Sequence, residues 1–151
     1  MAISAEAVKE LRDKTGVSMM ECKKALEEAG GDMTKALEVL SQRAQATASK
    51  KADRALGAGT VASYIHSTGQ VGSIVMLSSE TDFVSKNEEF VALAKDIAMH
   101  AAAMRPADTA ELLTQPFIKD STKTVADLIS LATQKFGERI EVASLTVVSV
   151  K

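Results

Sequence analysis

The chain has 151 residues, enough for one ordinary domain with a small module attached, and its 46% hydrophobic and 25% charged content is that of a globular protein. Only 3% of residues are aromatic and none is Trp, so Ala, Val, Leu, Ile and Met must build the core, which argues against a large aromatic-lined ligand pocket. A net charge of −2 argues against an overall basic nucleic-acid binder, and no run approaches the ~20 apolar residues of a membrane span.

Residues 1–45 read as three short helices. Ser4 is placed to cap the first, whose inner face carries Val8 and Leu11, and Gly16 ends it. Ser18 and Glu21 have the spacing of a capping box, in which each side chain reaches the other's backbone amide. Cys22, Ala25, Leu26 and Ala29 then recur at helical spacing, and Gly30-Gly31 stops the second helix. Asp32 is placed to cap the third, which turns Met33, Leu37 and Leu40 inward. So small a core is marginal alone. Residues 46–56 read as a polar, partly helical linker containing Lys50, Lys51 and Arg54, a charge cluster suited to solvent.

The pattern changes at Gly57 and Gly59. Residues 60–66 and 71–77 read as strands joined by a turn over 67–70. A helix is expected from Ser85, capped by Ser85 with Glu88, with Phe90, Ala94, Ile97, Ala98 and Ala101 inward and Pro106 beyond its end. A short helix over 107–113 follows, then one over 124–136 capped by Thr124 and stopped by Gly137. In the last segment Ile140 and Val142 share one parity and Leu145 and Val147 the other, which predicts a bulge at Ala143-Ser144. The expected fold is α+β: a three-helix module, then a β-β-α-α-β core over 57–151 with a three-stranded antiparallel sheet. Val61, Ile65, Val71, Val75 and Val147 exceed what two helices would hide, so a homodimer through the sheet is expected.

Catalytic signatures are missing from the sequence. His66 and His100 stand apart, without neighbours at metal-ligand spacing, and are expected at the surface or half-buried. Cys22 is the single cysteine, sits on an apolar helical face and has no base in evidence. No glycine-rich phosphate loop is present. The expectation is a non-enzyme that needs no cofactor or metal. The lone cysteine and an N-terminus without a charged segment followed by an apolar run point to a cytoplasmic setting.

The unusual segment is Thr81-Asp82-Phe83-Val84, after Glu80 at the exit of the second strand. The residues leave two readings open. Phe83 is either a strand-end side chain tucked under the sheet, with Asp82 capping a turn, or an exposed anchor that fills a partner's pocket.

Here the sequence resembles the elongation factor Ts family. The likeness runs through Leu11 to Leu40, Lys50 to Arg54, Tyr64-Ile65-His66, Glu80 to Phe90 and Gln115 to Asp120. It implies that residues 1–45 are a module like ubiquitin-associated domains and that the partner is elongation factor Tu. It further implies an exchange wedge of Thr81, Asp82, Phe83 and Val84 and a docking surface of Arg12, Thr15, Gly16, Val17, Met19, Met20, Lys23 and Lys24. The implied activity is guanine-nucleotide exchange that promotes GDP release in translation elongation, with no stable nucleic-acid or membrane partner. Two departures stand out. Only Met104 to Leu113 occupies the place of a second subdomain found in longer members, and the family's usual ending is replaced by Gly137-Glu138-Arg139-Ile140-Glu141-Val142. The alternative is an adaptor of ubiquitin-associated type without exchange activity.

Overall fold

A computed structural model describes residues 2–151. The first three helices are α1 (Ala5–Thr15), α2 (Met19–Glu28) and α3 (Met33–Lys50). Their caps follow from the sequence: Ser4 Oγ accepts from the Ala7 amide at 3.1 Å, and Asp32 Oδ1 from the Lys35 amide at 3.1 Å. Gly16 closes α1 in the left-handed region, at φ 70°. Ser18 caps α2 through the Glu21 amide, but the expected box does not close; the Glu21 carboxylate pairs with Arg43 of α3 at 3.3 Å instead. A cation on the neighbouring helix outcompetes a neutral amide for a carboxylate. Helix α3 also runs further than its apolar stripe suggests, carrying Ala44 into the core and absorbing the first residues of the polar segment. Ala-rich sequence with few β-branched residues favours that continuation.

Strands β1 (Ala58–Ile65) and β2 (Val71–Ser79) form the expected hairpin, and β5 (Glu141–Ser149) pairs with the other edge of β2, giving the antiparallel order β1-β2-β5. The bulge lies where parity requires it. Met76 faces Ser144 while Leu77 faces Val142, so Ala143 is the extra residue. Between β2 and β5 lie a short helix α4 (Asp82–Ser85), then α5 (Glu88–Met104), α6 (Thr109–Thr114), strands β3 (Pro116–Phe117) and β4 (Asp120–Thr124), and α7 (Val125–Phe136). The start of α5 differs from expectation. Asn87 is its cap, accepting from the Glu89 amide at 2.8 Å, because Ser85 is buried as the last residue of α4. Thr124 and Asp127 close a complete capping box on α7.

One face of the sheet is packed against α5. Phe90, Ala94, Ile97, Ala98 and Ala101 are all buried, and the three alanines allow close approach of helix to strands. Val75 and Leu77 meet them from β2, and Val142 from β5. Three residues named for a sheet-mediated homodimer are therefore misassigned: Val75 is fully buried, Val147 packs against the same cluster and Val71 is half-buried beside α5, because all three share the inner parity. The outer face instead carries Val61, Ile65, Ile74 and Val148, between 54% and 67% exposed.

A second cluster joins Val8, Leu11, Val17, Cys22, Leu26, Leu40 and Ala44. Leu131 of α7 belongs to it, so α7 serves both cores. The sequence reading missed this, because Leu131 lies off the stripe of Val125, Leu128, Ile129, Ala132 and Phe136.

His100 is fully buried rather than superficial. Its Nδ1 accepts from the Ile118 amide at 3.1 Å, so Nε2 donates to Gln115 Oε1 at 2.9 Å, and Phe117 stacks at 5.8 Å. This fixes the small β3-β4 hairpin to α5, an element too short to read from periodicity. Burial raises the Cys22 thiol above its ordinary pKa, which disfavours the reactive thiolate. Among the described residues no helix is long and apolar enough to cross a membrane, and no three His, Cys, Asp or Glu side chains converge as metal ligands.

Candidate functional site

The segment after β2 turns sharply and begins α4 at Asp82. Phe83 is 91% exposed, and Thr81 and Asp82 are exposed beside it. Val84 is not part of that surface. It turns inward and packs in the sheet's core, which anchors α4 from below. A four-residue helix thus separates an apolar root from an aromatic tip, and Phe83 is not tucked under the sheet.

The backbone of this turn is densely bonded. Ser79 Oγ donates to the Thr81 carbonyl at 3.0 Å, and Thr60 Oγ1 of β1 donates to the Ser85 carbonyl at 2.6 Å. Glu138, just beyond α7, accepts from the amides of Glu80 and Thr81 at 3.1 and 2.9 Å and from Thr81 Oγ1 at 2.6 Å. In return Glu80 accepts from the Arg139 amide at 2.6 Å and from Arg54 Nη1 at 3.4 Å. The Arg139 amide, then Arg54, hold the Glu80 carboxyl below its ordinary pKa against the opposing effect of burial. Sequence reasoning did not identify Glu138, Arg139, Glu80 and Arg54 as a group, since they lie far apart in the chain. The only hint was the altered ending around Glu138-Arg139.

The second set of residues divides in three. Arg12, Met19, Met20, Lys23 and Lys24 are exposed, Met20 by 67%. Thr15 and Gly16 are half-buried, with the Lys135 side chain of α7 lying over Gly16. A Cβ on Gly16 would stand 3.0 Å from Lys135 Nζ. Val17 is buried in the helical cluster. Thr15 serves its own turn, where its hydroxyl donates to the Leu11 carbonyl at 2.8 Å and accepts from the Val17 amide at 3.2 Å. The exposed members of the set are thus Met19 and Met20 with Arg12, Lys23 and Lys24, apolar and basic side chains on α1 and α2.

Neither region brings together a nucleophile and a base or a metal-ligand set. Both offer large apolar side chains on rigid turns, which is the equipment of a binding surface.

Comparison with known proteins identifies the family. The sequence pattern of the family described as Elongation factor TS matches residues 80–151, which include the Phe83 turn together with Glu138 and Arg139. The elongation factor Ts of Desulforamulus reducens is 43% identical, over 93% of this chain and 85% of its own length. That of Acetivibrio thermocellus is 40% identical over 93% and 86%, and that of Thermodesulfovibrio yellowstonii 42% identical over 94% and 93%. These matches extend over 185 or 186 residues, longer than this chain, so the relatives carry residues that it lacks. With likeness of this degree along nearly its whole length, the chain belongs to the elongation factor Ts family of translation elongation factors.

Proposed function

We propose that this protein promotes release of GDP from elongation factor Tu. The observation that carries the reading is Phe83, a large aromatic 91% exposed on a turn whose backbone is fixed on both sides. A ring so displayed gains nothing for folding and is suited to entering a partner's pocket. In this reading Phe83 wedges between helices of the nucleotide-binding domain of elongation factor Tu. Asp82 lies beside it and disturbs the surroundings of phosphate and Mg²⁺, while Thr81 and the buried Val84 set the turn.

Residues 1–45 dock through Met19 and Met20 with Arg12, Lys23 and Lys24; residues 46–56 link; residues 57–151 carry the wedge. Docking is needed because burying one Phe contributes only about 1.5–3 kcal/mol, which must also offset distortion of the partner. Linkage makes the effect reciprocal: the factor weakens GDP binding by as much as GDP weakens factor binding. No bond is made or broken, and the setting is the cytoplasm. Stopped-flow release of fluorescent GDP from elongation factor Tu tests the reading. Acceleration by catalytic amounts of this protein is expected. Binding without acceleration would instead indicate the adaptor alternative.

A second reading concerns assembly. The outer sheet face with Val61, Ile65, Ile74 and Val148 is apolar and uncovered, which favours a homodimer through the sheet. Sedimentation of Ile74→Lys beside the unaltered chain tests it: the variant should be monomeric where the parent is dimeric. A parent that is monomeric at about 50 µM, well above ordinary micromolar association, removes this reading.

A further inference from the structure

We infer that Glu138 is a positioning residue for nucleotide exchange, setting the direction of Phe83 through the backbone of Glu80 and Thr81; the inference rests on Phe83 being the exchange wedge. An exposed ring has no packing contacts to orient it, so its direction comes from the backbone beneath. That backbone begins α4, and a helix start normally satisfies its free amides with the side chain of its own cap residue. Thr81 stands at that position, yet its hydroxyl makes no bond to the helix. It donates to Glu138 Oε2 at 2.6 Å. The device that would make the turn self-sufficient has been redirected to a residue 57 positions away.

Glu138 does more than accept that hydroxyl. Its Oε1 receives the two successive amides by which the chain leaves β2, those of Glu80 and Thr81. Three donors on one carboxylate make the strand exit a fixed pivot, and bonds to a charged acceptor are among the stronger hydrogen bonds. The Glu80 carboxylate completes the exchange by accepting the Arg139 amide at 2.6 Å. Each carboxylate thus holds the other segment's backbone, a reciprocal clamp that restrains both translation and rotation of the turn. Neither Thr81 nor Glu138 is among the buried apolar residues. Removing the Glu138 carboxylate therefore releases the tip without opening the core, and a released anchor must be ordered again at each encounter.

The test is GDP release from elongation factor Tu by the full chain carrying Glu138→Ala, Glu138→Gln, Phe83→Ala, or Glu138→Ala with Phe83→Ala, with melting recorded for each. Glu138→Ala is expected to lower the saturating release rate about tenfold, as small misplacements of a working group do. The half-saturating concentration should stay within about twofold, because uniform binding is left in place. Glu138→Gln should restore most of the rate, since its amide oxygen still accepts both amides.

The double variant decides whether Glu138 acts through the ring. In the Phe83→Ala background, Glu138→Ala should cost less than about twofold more, the non-additivity of coupled residues. Equal losses in both backgrounds, or an undiminished rate in Glu138→Ala alone, overturn the positioning role while leaving the wedge intact. An undiminished rate in Phe83→Ala overturns the wedge itself and this inference with it. Should Glu138→Ala fail to fold, Thr81→Val removes only the hydroxyl donor and enters the same cycle. There a loss of about threefold that vanishes without Phe83 supports the inference, and its absence or persistence overturns it.

Discussion

The two exposed turns, Thr15–Met20 and Thr81–Val84, follow one plan by different means. Each buries a valine, Val17 or Val84, and displays a larger apolar group close by, Met19 with Met20 or Phe83. The first is held mainly from within its own helical pair: Thr15 bonds Leu11 and Val17, and the Cys22 thiol donates to the Val17 carbonyl at 3.5 Å. The second is held from across the fold, by Glu138, Arg139 and Thr60. Local support makes a surface that depends on one small motif. Distant support makes a surface whose geometry depends on the whole α+β unit being assembled.

The largest expected effect separates display from packing within the second region. Phe90→Ala, in the core under α5, should cost about 3–5 kcal/mol of stability and collapse exchange by unfolding. Phe83→Ala should leave melting within about 0.5 kcal/mol of the parent, yet lower GDP release roughly thirtyfold, as loss of an aromatic hot spot of ~2 kcal/mol does. Calorimetry with stopped-flow fluorescence distinguishes them; a Phe83→Ala chain that melts many degrees lower would show that the ring is structural.

The first region should give a smaller effect of another kind. Met20→Ala is expected to weaken binding to elongation factor Tu about tenfold while the saturating release rate stays near the parent's. Titration calorimetry with nucleotide-free factor Tu measures the first, and a saturating rate that falls as steeply as the affinity would erase the division of labour between the turns. Removing the helices altogether is a poorer probe, because Leu131 of α7 is buried among them.

The smallest effect is a pH dependence confined to the second region. The Glu80 carboxyl lies below its ordinary value of about 4.5, chiefly through the Arg139 amide. Its contribution to stability is complete above the unfolded value and disappears as pH falls through the lower folded value. Glu80→Gln should therefore melt below the parent at neutral pH, with the gap closing as pH drops under about 4.5. Carboxylate NMR titration gives the folded pKa directly, and a value at or above 4.5 would contradict the clamp.

The same contrast explains what could be read from the sequence. The caps Ser4, Ser18, Asp32 and Thr124, the α5 stripe and the bulge at Ala143 follow from short-range rules and stand where those rules place them. The exposed tip at Phe83 was one of two readings that composition allowed, and its exposure emerged with the fold. Val84, Gly16 and Thr15 entered the candidate set with their neighbours in the motifs, and only packing separates them from the displayed residues. The Glu138 clamp and the double role of α7 were illegible because their partners are set by tertiary approach, for which a single sequence carries no periodic signal.

The placement of β5 also has a consequence for how the protein is made. The central strand β2 comes midway along the chain, but its second neighbour spans residues 141–149, and Glu138 just precedes it. During synthesis the Phe83 segment emerges long before the residues that brace it, and pairings over such separations form late. The helical module is built of near neighbours in sequence, but Leu131 of α7 completes its buried cluster, so it too is finished only after that helix has emerged. Both turns are therefore finished late, and a product interrupted before Glu138 would lack the carboxylate that holds the backbone beneath Phe83.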